Sequence, residues 1–163
     1  MNYAVKKENK YKNENVNILN NKFSSRLESK AFLVLQDMSK KGLIKDLRLQ
    51  TVYILEEGFQ TVYYDGKRSK VRKTKTRDVT YVADFDFKTL DGQKVVVETK
   101  GLEDQKYPIK KKLLLKKYPD IWFLELRNEG QIAKIDEILE EFKKNKNNWI
   151  FLVFFYIQTI NAM

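Results

Sequence analysis

Tyr81-Val82-Ala83-Asp84-Phe85-Asp86-Phe87, then Leu90-Asp91-Gly92-Gln93, then Val95-Val96-Val97-Glu98-Thr99-Lys100-Gly101 is the stretch on which the fold turns. Asp-Gly between two β-rich runs signals a tight hairpin. It predicts antiparallel strands over Val79–Phe87 and Lys94–Lys100. The Val-Val-Val run is apolar on both faces, the mark of a central strand. Side chains alternate along a strand, so Glu98 and Lys100 share one face and Val97 and Thr99 the other. At about 3.3 Å per residue, Glu98 and Lys100 sit about 7 Å apart along the backbone. Alternation also puts Asp84 and Asp86 on one face of the neighbouring strand, and either can approach Glu98.

Upstream, Ser25-Arg26-Leu27-Glu28 reads as a capping box opening a helix over 25–41. Leu27, Ala31, Leu35 and Met38 fall at helical spacing, and Gly42 stands where a C-terminal cap belongs. A strand follows from Asp46 to about Glu57, kinked near Gln50. Gly58 allows a turn into a Val- and Tyr-rich strand, Gln60–Asp65. Downstream of Gly101, Pro108 suits the first turn of a helix to Lys117. Ile109, Leu113 and Leu114 are its expected buried side. Tyr118-Pro119-Asp120 ends it before a short strand, Ile121–Leu126. Ile132, Ile135, Ile138, Leu139 and Phe142 mark an amphipathic helix over Glu129–Lys144. The order predicts one α/β domain, a mixed sheet flanked by helices. A loose polar tail (1–22) precedes the core (23–127), and a C-terminal part (128–163) packs on the core or on a partner.

Composition narrows the chemistry. The chain has no cysteine and no histidine. Disulfides, thiolate metal sites, Ser-His-Asp triads and imidazole bases are therefore excluded. Catalysis, if present, runs on carboxylates, lysine, tyrosine or a hard cation held through oxygen. The formal net charge of +10 favours a polyanionic partner, nucleic acid or an acidic membrane surface. No signal-peptide core opens the chain, which predicts a cytoplasmic protein. The apolar run Trp149–Ile157 falls short of the roughly 20 residues a spanning helix needs. It is read as a buried or interface-covering element, with a tail anchor as the alternative.

Two carboxylates converging on one site repel by roughly 4 kcal/mol at about 4 Å and an effective dielectric near 20. Either one stays protonated or a cation neutralises the pair. A divalent ion that keeps several waters suits two carboxylates, and no other cofactor is called for. Such a pair beside a lysine on a basic chain is the equipment for metal-dependent phosphodiester cleavage. Glu28 has two readings, as the acid closing the capping box on Ser25 or as a metal-linked acid. Seven cations and no acid lie between Gly66 and Arg77: Lys67, Arg68, Lys70, Arg72, Lys73, Lys75 and Arg77. They form a candidate DNA-contacting arm. If six or more met phosphates, affinity would fall about a thousandfold between low and moderate salt. Lys110, with Lys106 and Lys117, extends the track along the second helix. Phe59, Tyr63 and Tyr64 are read as core.

Glu28, Asp84 and Glu98-x-Lys100, in that order and topology, resemble the PD-(D/E)XK nuclease superfamily. The closer likeness is to small phage-encoded endonucleases. It runs through Phe23–Ala31, Leu47–Gln50, Tyr81–Phe85, Val96–Gly101 and Lys110–Asp120, covering about residues 22–127. The resemblance selects Asp84 over Asp86. It implies an αβββαβ, restriction-endonuclease-like core and a magnesium-dependent endodeoxyribonuclease. Metal would be held by Asp84, Glu98 and the Thr99 carbonyl, with Glu28 nearby and Lys100 catalytic. Ala83 stands where the superfamily's name expects proline. Branched DNA is an expectation from fold-level analogy with junction resolvases. It carries with it a homodimer, for which Trp149–Ile157 offers a place. The rival expectation is a non-catalytic DNA-binding or recombination accessory protein.

Overall fold

The computed structural model describes residues 16–18, 20–101 and 105–146. In chain order these form β1 (Val16–Ile18), β2 (Asn21–Phe23), α1 (Arg26–Lys40), β3 (Ile44–Glu56), β4 (Gln60–Asp65) and β5 (Lys70–Lys75). Then come β6 (Val79–Thr89), β7 (Lys94–Thr99), α2 (Tyr107–Lys117), β8 (Trp122–Leu126) and α3 (Glu129–Ile132). A last helix, α4, spans 135–146. The apolar run Trp149–Ile157 lies outside the described residues.

The central sheet has four strands in the order β3-β6-β7-β8. β3, β6 and β7 pair antiparallel, and β8 pairs parallel to β7, with α2 as the crossover. The core order is thus α1-β3-β6-β7-α2-β8, with β4 and β5 inserted as a hairpin. Val95, Val96 and Val97 are fully buried, as a central strand demands. One face of the sheet buries Phe85, Phe87, Val95 and Val97 against Ala31, Phe32 and Leu35 of α1 and Ile132, Ile135 and Leu139 of α3 and α4. The other buries Tyr53, Tyr81, Ala83 and Val96 against Tyr107 and Leu114 of α2.

Helix α1 starts and stops where its sequence says. Ser25 caps it through Glu28 N–H, and Gly42, at φ 69°, closes it. Leu43 N–H donates to Met38 C=O and Gly42 N–H to Ser39 C=O, the paired bonds of a Schellman end.

Three local expectations are corrected, and one stretch with no assigned structure gains one. Residues 16–23, expected in or beside a loose tail, include a β-hairpin whose last residue, Phe23, stacks into the core beside Phe32. The basic stretch is half strand, because β5 pairs with β4 over its full length. Ile109 (65% exposed) and Leu113 (38%) do not form the buried side of α2. The buried seam runs instead through Tyr107, Lys111, Leu114 and Tyr118, at helical spacing, with the Lys111 ammonium against the Tyr107 and Phe123 rings. The C-terminal helix is broken by a turn at 133–134.

Candidate active site

β6 and β7 pair from Lys88 and Lys94 as far as Phe85 and Val97, and no further. Beyond that point β6 stays with β3, while β7 stays with β8 through Glu98 and Thr99. The two strands part, and the first residues past the fork are Asp84 on one side and Glu98 and Thr99 on the other. A matching irregularity sits on β3. Leu49 pairs with Phe85 and Thr51 with Ala83, but Gln50, between them, takes φ 51° and leaves the ladder opposite Asp84. A left-handed conformation at a non-glycine residue costs on the order of 1 kcal/mol or more.

The fork also changes which way the strand faces. Tyr81 and Ala83 pack on the α2 side, whereas Phe85 and Phe87 pack on the α1 side, although strict alternation would keep all four together. The break falls at Asp84. Asp84 and Asp86 therefore do not occupy equivalent positions on one face, as uninterrupted alternation would require. Asp86 lies opposite Val96 on the α2 side.

At the fork, Thr99 donates both its N–H (2.8 Å) and its Oγ1–H (2.6 Å) to Asp84 Oδ2. Asp84 Oδ1 accepts no hydrogen bond from the described residues. Because a strand residue's N–H and C=O point to the same side, the Thr99 carbonyl also faces the gap beside Asp84. Glu98 is 7% exposed. Its Oε2 accepts from the Tyr81 hydroxyl at 2.8 Å, while its Oε1 has only a 3.4 Å contact with the Lys100 ammonium. Lys100 is further held 4.3 Å over the Tyr107 ring. Among the described residues no buried side-chain polar atom lacks a partner, so the open oxygen of Asp84 reaches solvent.

The electrostatics follow from this shortage of donors. Burial pushes the Glu98 carboxyl up to about 7, and the Asp84 charge adds to the push against the pull of Tyr81 and Lys100. Burial likewise raises Asp84; its bonds from Thr99 oppose the rise, and the Glu28 charge reinforces it. Three acids and one lysine thus feel one another at the fork.

Glu28 is there, but engaged. Its Oε2 accepts from Ser24 N–H (2.8 Å) and Ser24 Oγ–H (2.7 Å), and its Oε1 from Gln50 Nε2–H (2.9 Å). The capping box on Ser25 is therefore only half made, because the carboxylate reaches Ser24 instead. Gln50, Tyr81, Ser24 and Tyr107 are the site residues that pattern reading passes over. The kink at Gln50 was the one available signal.

Oxygen donors alone suit a hard divalent cation, and Asp84 Oδ1, Glu98 Oε1 and the Thr99 carbonyl are the donors at hand. Among the described residues no three Asp or Glu side chains gather closely enough to hold a metal ion by themselves. The site fits a cation that keeps most of its water and takes two carboxylates.

Asp86, the rival of Asp84, is spent on structure. It is fully buried and accepts from Arg48 Nε–H and an Arg48 terminal N–H, Thr51 Oγ1–H and Tyr53 O–H. Burial pushes its carboxyl up, but these donors outweigh that and leave it below its ordinary range.

The basic residues divide by place. Lys67 and Arg68 lie in the β4–β5 turn, and Lys70, Arg72, Lys73 and Lys75 on β5. Arg77 follows at the hairpin's root, and Lys110 is half-buried on α2. Phe59, Tyr63 and Tyr64, expected in the core, are 56%, 44% and 63% exposed, because the ribbon they belong to projects from the sheet instead of joining it.

Residues 8–129 match the family described as "Protein of unknown function (DUF1064)", and the chain belongs to that family. No curated protein and no solved structure matches it. The matched span holds the whole fork, from Glu28 to Lys100, and the basic hairpin.

Proposed function

We propose that this DUF1064 protein is a magnesium-dependent endodeoxyribonuclease that hydrolyses DNA phosphodiester bonds in phage DNA processing or recombination. One observation carries the reading. Asp84 and Glu98, from strands that have just parted, are raised toward protonation and short of donors, with Lys100 beside them. The other two buried acids of the described protein have donors on both oxygens, Asp86 from Arg48, Thr51 and Tyr53 and Glu28 from Ser24 and Gln50.

Asp84, Glu98 and the Thr99 carbonyl would hold the ion. When bound, magnesium acidifies a coordinated water and offsets charge on the phosphoryl oxygens. The chain's own groups do the rest. Thr99 fixes Asp84 by two bonds, so its other oxygen is presented in one orientation. Tyr81, whose hydroxyl burial keeps protonated, does the same for Glu98. Lys100, braced on Tyr107, donates toward the attacking water or a non-bridging phosphate oxygen as negative charge builds. Seven cations near the β4–β5 hairpin and a net charge of +10 supply the attraction for the backbone.

One observation favours a second reading, a non-catalytic DNA-binding accessory protein. Glu28 is tied to Ser24 and Gln50, which leaves two acids for a cation in place of three. A cleavage panel separates the two. Linear duplex, single strand, flap and four-way junction are incubated with Mg2+ and the wild type, Glu98→Ala or Lys100→Ala. Metal-dependent cutting by the wild type alone, with DNA binding kept by both variants, is expected. No cutting of any substrate by pure wild type overturns the nuclease reading. The junction arm also tests the branched-DNA expectation and the homodimer that goes with it.

A further inference from the structure

The β4–β5 ribbon is built unlike a strand pair meant for the core. Register puts Gln60, Val62 and Tyr64 opposite Lys75, Lys73 and Val71 on one face. Val62 (58% exposed), Tyr64 (63%) and Val71 (68%) all stand open to solvent there. No acid shares that face, and neither Lys73 nor Lys75 makes an ion pair among the described residues. On the opposite face Arg72 is already paired with Asp65 at 3.3 Å.

An isolated two-stranded ribbon is marginal in water, yet this one is clamped at its root. Gly58 N–H donates to Asp78 Oδ1 and Phe59 N–H to Thr76 Oγ1, each at 2.7 Å, while Thr76 N–H and Oγ1–H both donate to Phe59 C=O. Gly58 is packed so closely on the Thr76 carbonyl that a Cβ would collide with backbone. The arm is therefore aimed, while its apolar and cationic face is left uncovered.

We propose that this ribbon is a major-groove arm. It lays its Val62–Tyr64–Val71 face toward base edges of duplex DNA, with Lys73 and Lys75 on the flanking phosphates. The proposal rests on the nucleic-acid reading above for its partner and adds to it the groove, the face and the duplex form of the DNA. Dimensions select the groove. Paired strands lie about 4.8 Å apart, and with side chains such a ribbon enters a groove about 12 Å wide but not one about 6 Å wide. Aliphatic side chains have partners there in thymine methyl groups. Reach sets the footprint. At about 3.3 Å per residue, Asp84 lies about 16 Å along β6 from Val79 and at most about 36 Å from Lys73. Lys73 therefore meets the duplex within about one turn (roughly 34 Å) of the phosphate at Asp84 and Glu98, and the Tyr64–Val71 end reaches at most about 43 Å.

The test is fluorescence anisotropy of a labelled 30-base-pair duplex with the full chain in chelator, so that binding is read without cleavage. Lys73→Ala/Lys75→Ala is expected to weaken binding about tenfold at moderate salt. It should also reduce the slope of log affinity against log salt by about 1.8, from about 0.9 per phosphate contact. Tyr64→Ser/Val71→Ser should weaken binding about tenfold with the slope unchanged. Glucosylated hydroxymethylcytosine, which fills the major groove, should abolish the advantage of wild type over both variants, whereas the minor-groove binder netropsin should not. All four positions are exposed, and unchanged urea midpoints confirm folding. Wild-type affinity in both double variants, displacement by netropsin but not by glucosylation, or a ribbon-dependent dimer or ribbon-dependent binding to anionic vesicles in place of duplex binding would each overturn the proposal. Ribbon-dependent binding without cleavage of any substrate under Mg2+ would leave the arm standing and remove only the nuclease.

Discussion

Asp84 and Asp86 stand two residues apart on one strand and live in opposite worlds. Asp86 is the more buried, with no exposed surface, and yet it is held below the ordinary carboxylate range by Arg48, Tyr53 and Thr51. Asp84 keeps some exposed surface but is raised, chiefly by burial, and Glu98 beside it is raised as well. Burial pushes both carboxyls up; what holds Asp86 down is its supply of donors. A buried acid with its cation built in is a strut. A pair of acids with one open oxygen on Asp84 and one weakly held on Glu98 is where the proposed cation would bind.

The comparison breaks most visibly in activity. Glu98→Ala or Asp84→Asn should cut metal-dependent cleavage at least about a thousandfold, which is about 4 kcal/mol of barrier. Asp86→Asn, assayed where it is folded, should stay within severalfold of wild type. Single-turnover rates on the best substrate of the panel decide this.

Stability should reverse the ranking. Asp86→Ala strands the buried Tyr53 hydroxyl and unpairs Arg48 and Lys94. It should cost about 2–4 kcal/mol in urea unfolding, less than a fully buried ion pair because Arg48 is half-exposed. Glu98→Gln in chelator should instead leave the protein as stable as wild type, or more so, at pH 8.

A pH series sharpens the contrast by sign. Glu98 titrates near 7 when folded against its ordinary 4.5, so the folded form binds its proton more tightly. In metal-free protein that contribution is full below about 4.5 and is lost as pH rises through about 7. Asp86, depressed on folding, acts oppositely, and its contribution disappears as pH falls below the ordinary carboxylate range. Urea midpoints of Glu98→Gln and Asp86→Asn across pH 2–8 should flatten the neutral and the acid limb respectively. The smallest effect belongs to an acid with neither burial nor shortage. Asp46, ion-paired to Lys88 on the surface, should give no measurable change in midpoint or cleavage as Asp46→Asn.

Much of this was legible in the chain, for physical reasons. The Asp91-Gly92 turn and the triple valine set β6 and β7, and Ser25 and Gly42 bounded α1. The positions of Glu98 and Lys100 followed from β7 alternation alone. What failed was carrying alternation through Asp84, because the break there comes from the partner strand, where Gln50 leaves the ladder. The seam of α2 was misread for a related reason. Lys111 fills a half-buried position by extending its stem over Tyr107 and meeting Glu125, which an apolar count does not see. Tyr63 and Tyr64 were misplaced because aromatic content in a strand says nothing about whether a second layer covers it.

The central claim is that Asp84 and Glu98 share a divalent cation. Calorimetric titration of Mn2+ into chelator-stripped protein at pH 8 tests it most directly, with wild type, Asp86→Asn and Asp84→Asn/Glu98→Gln side by side. Saturable binding by the first two and its loss in the third is predicted. No saturable binding by wild type, or binding that survives the double substitution, would contradict the account.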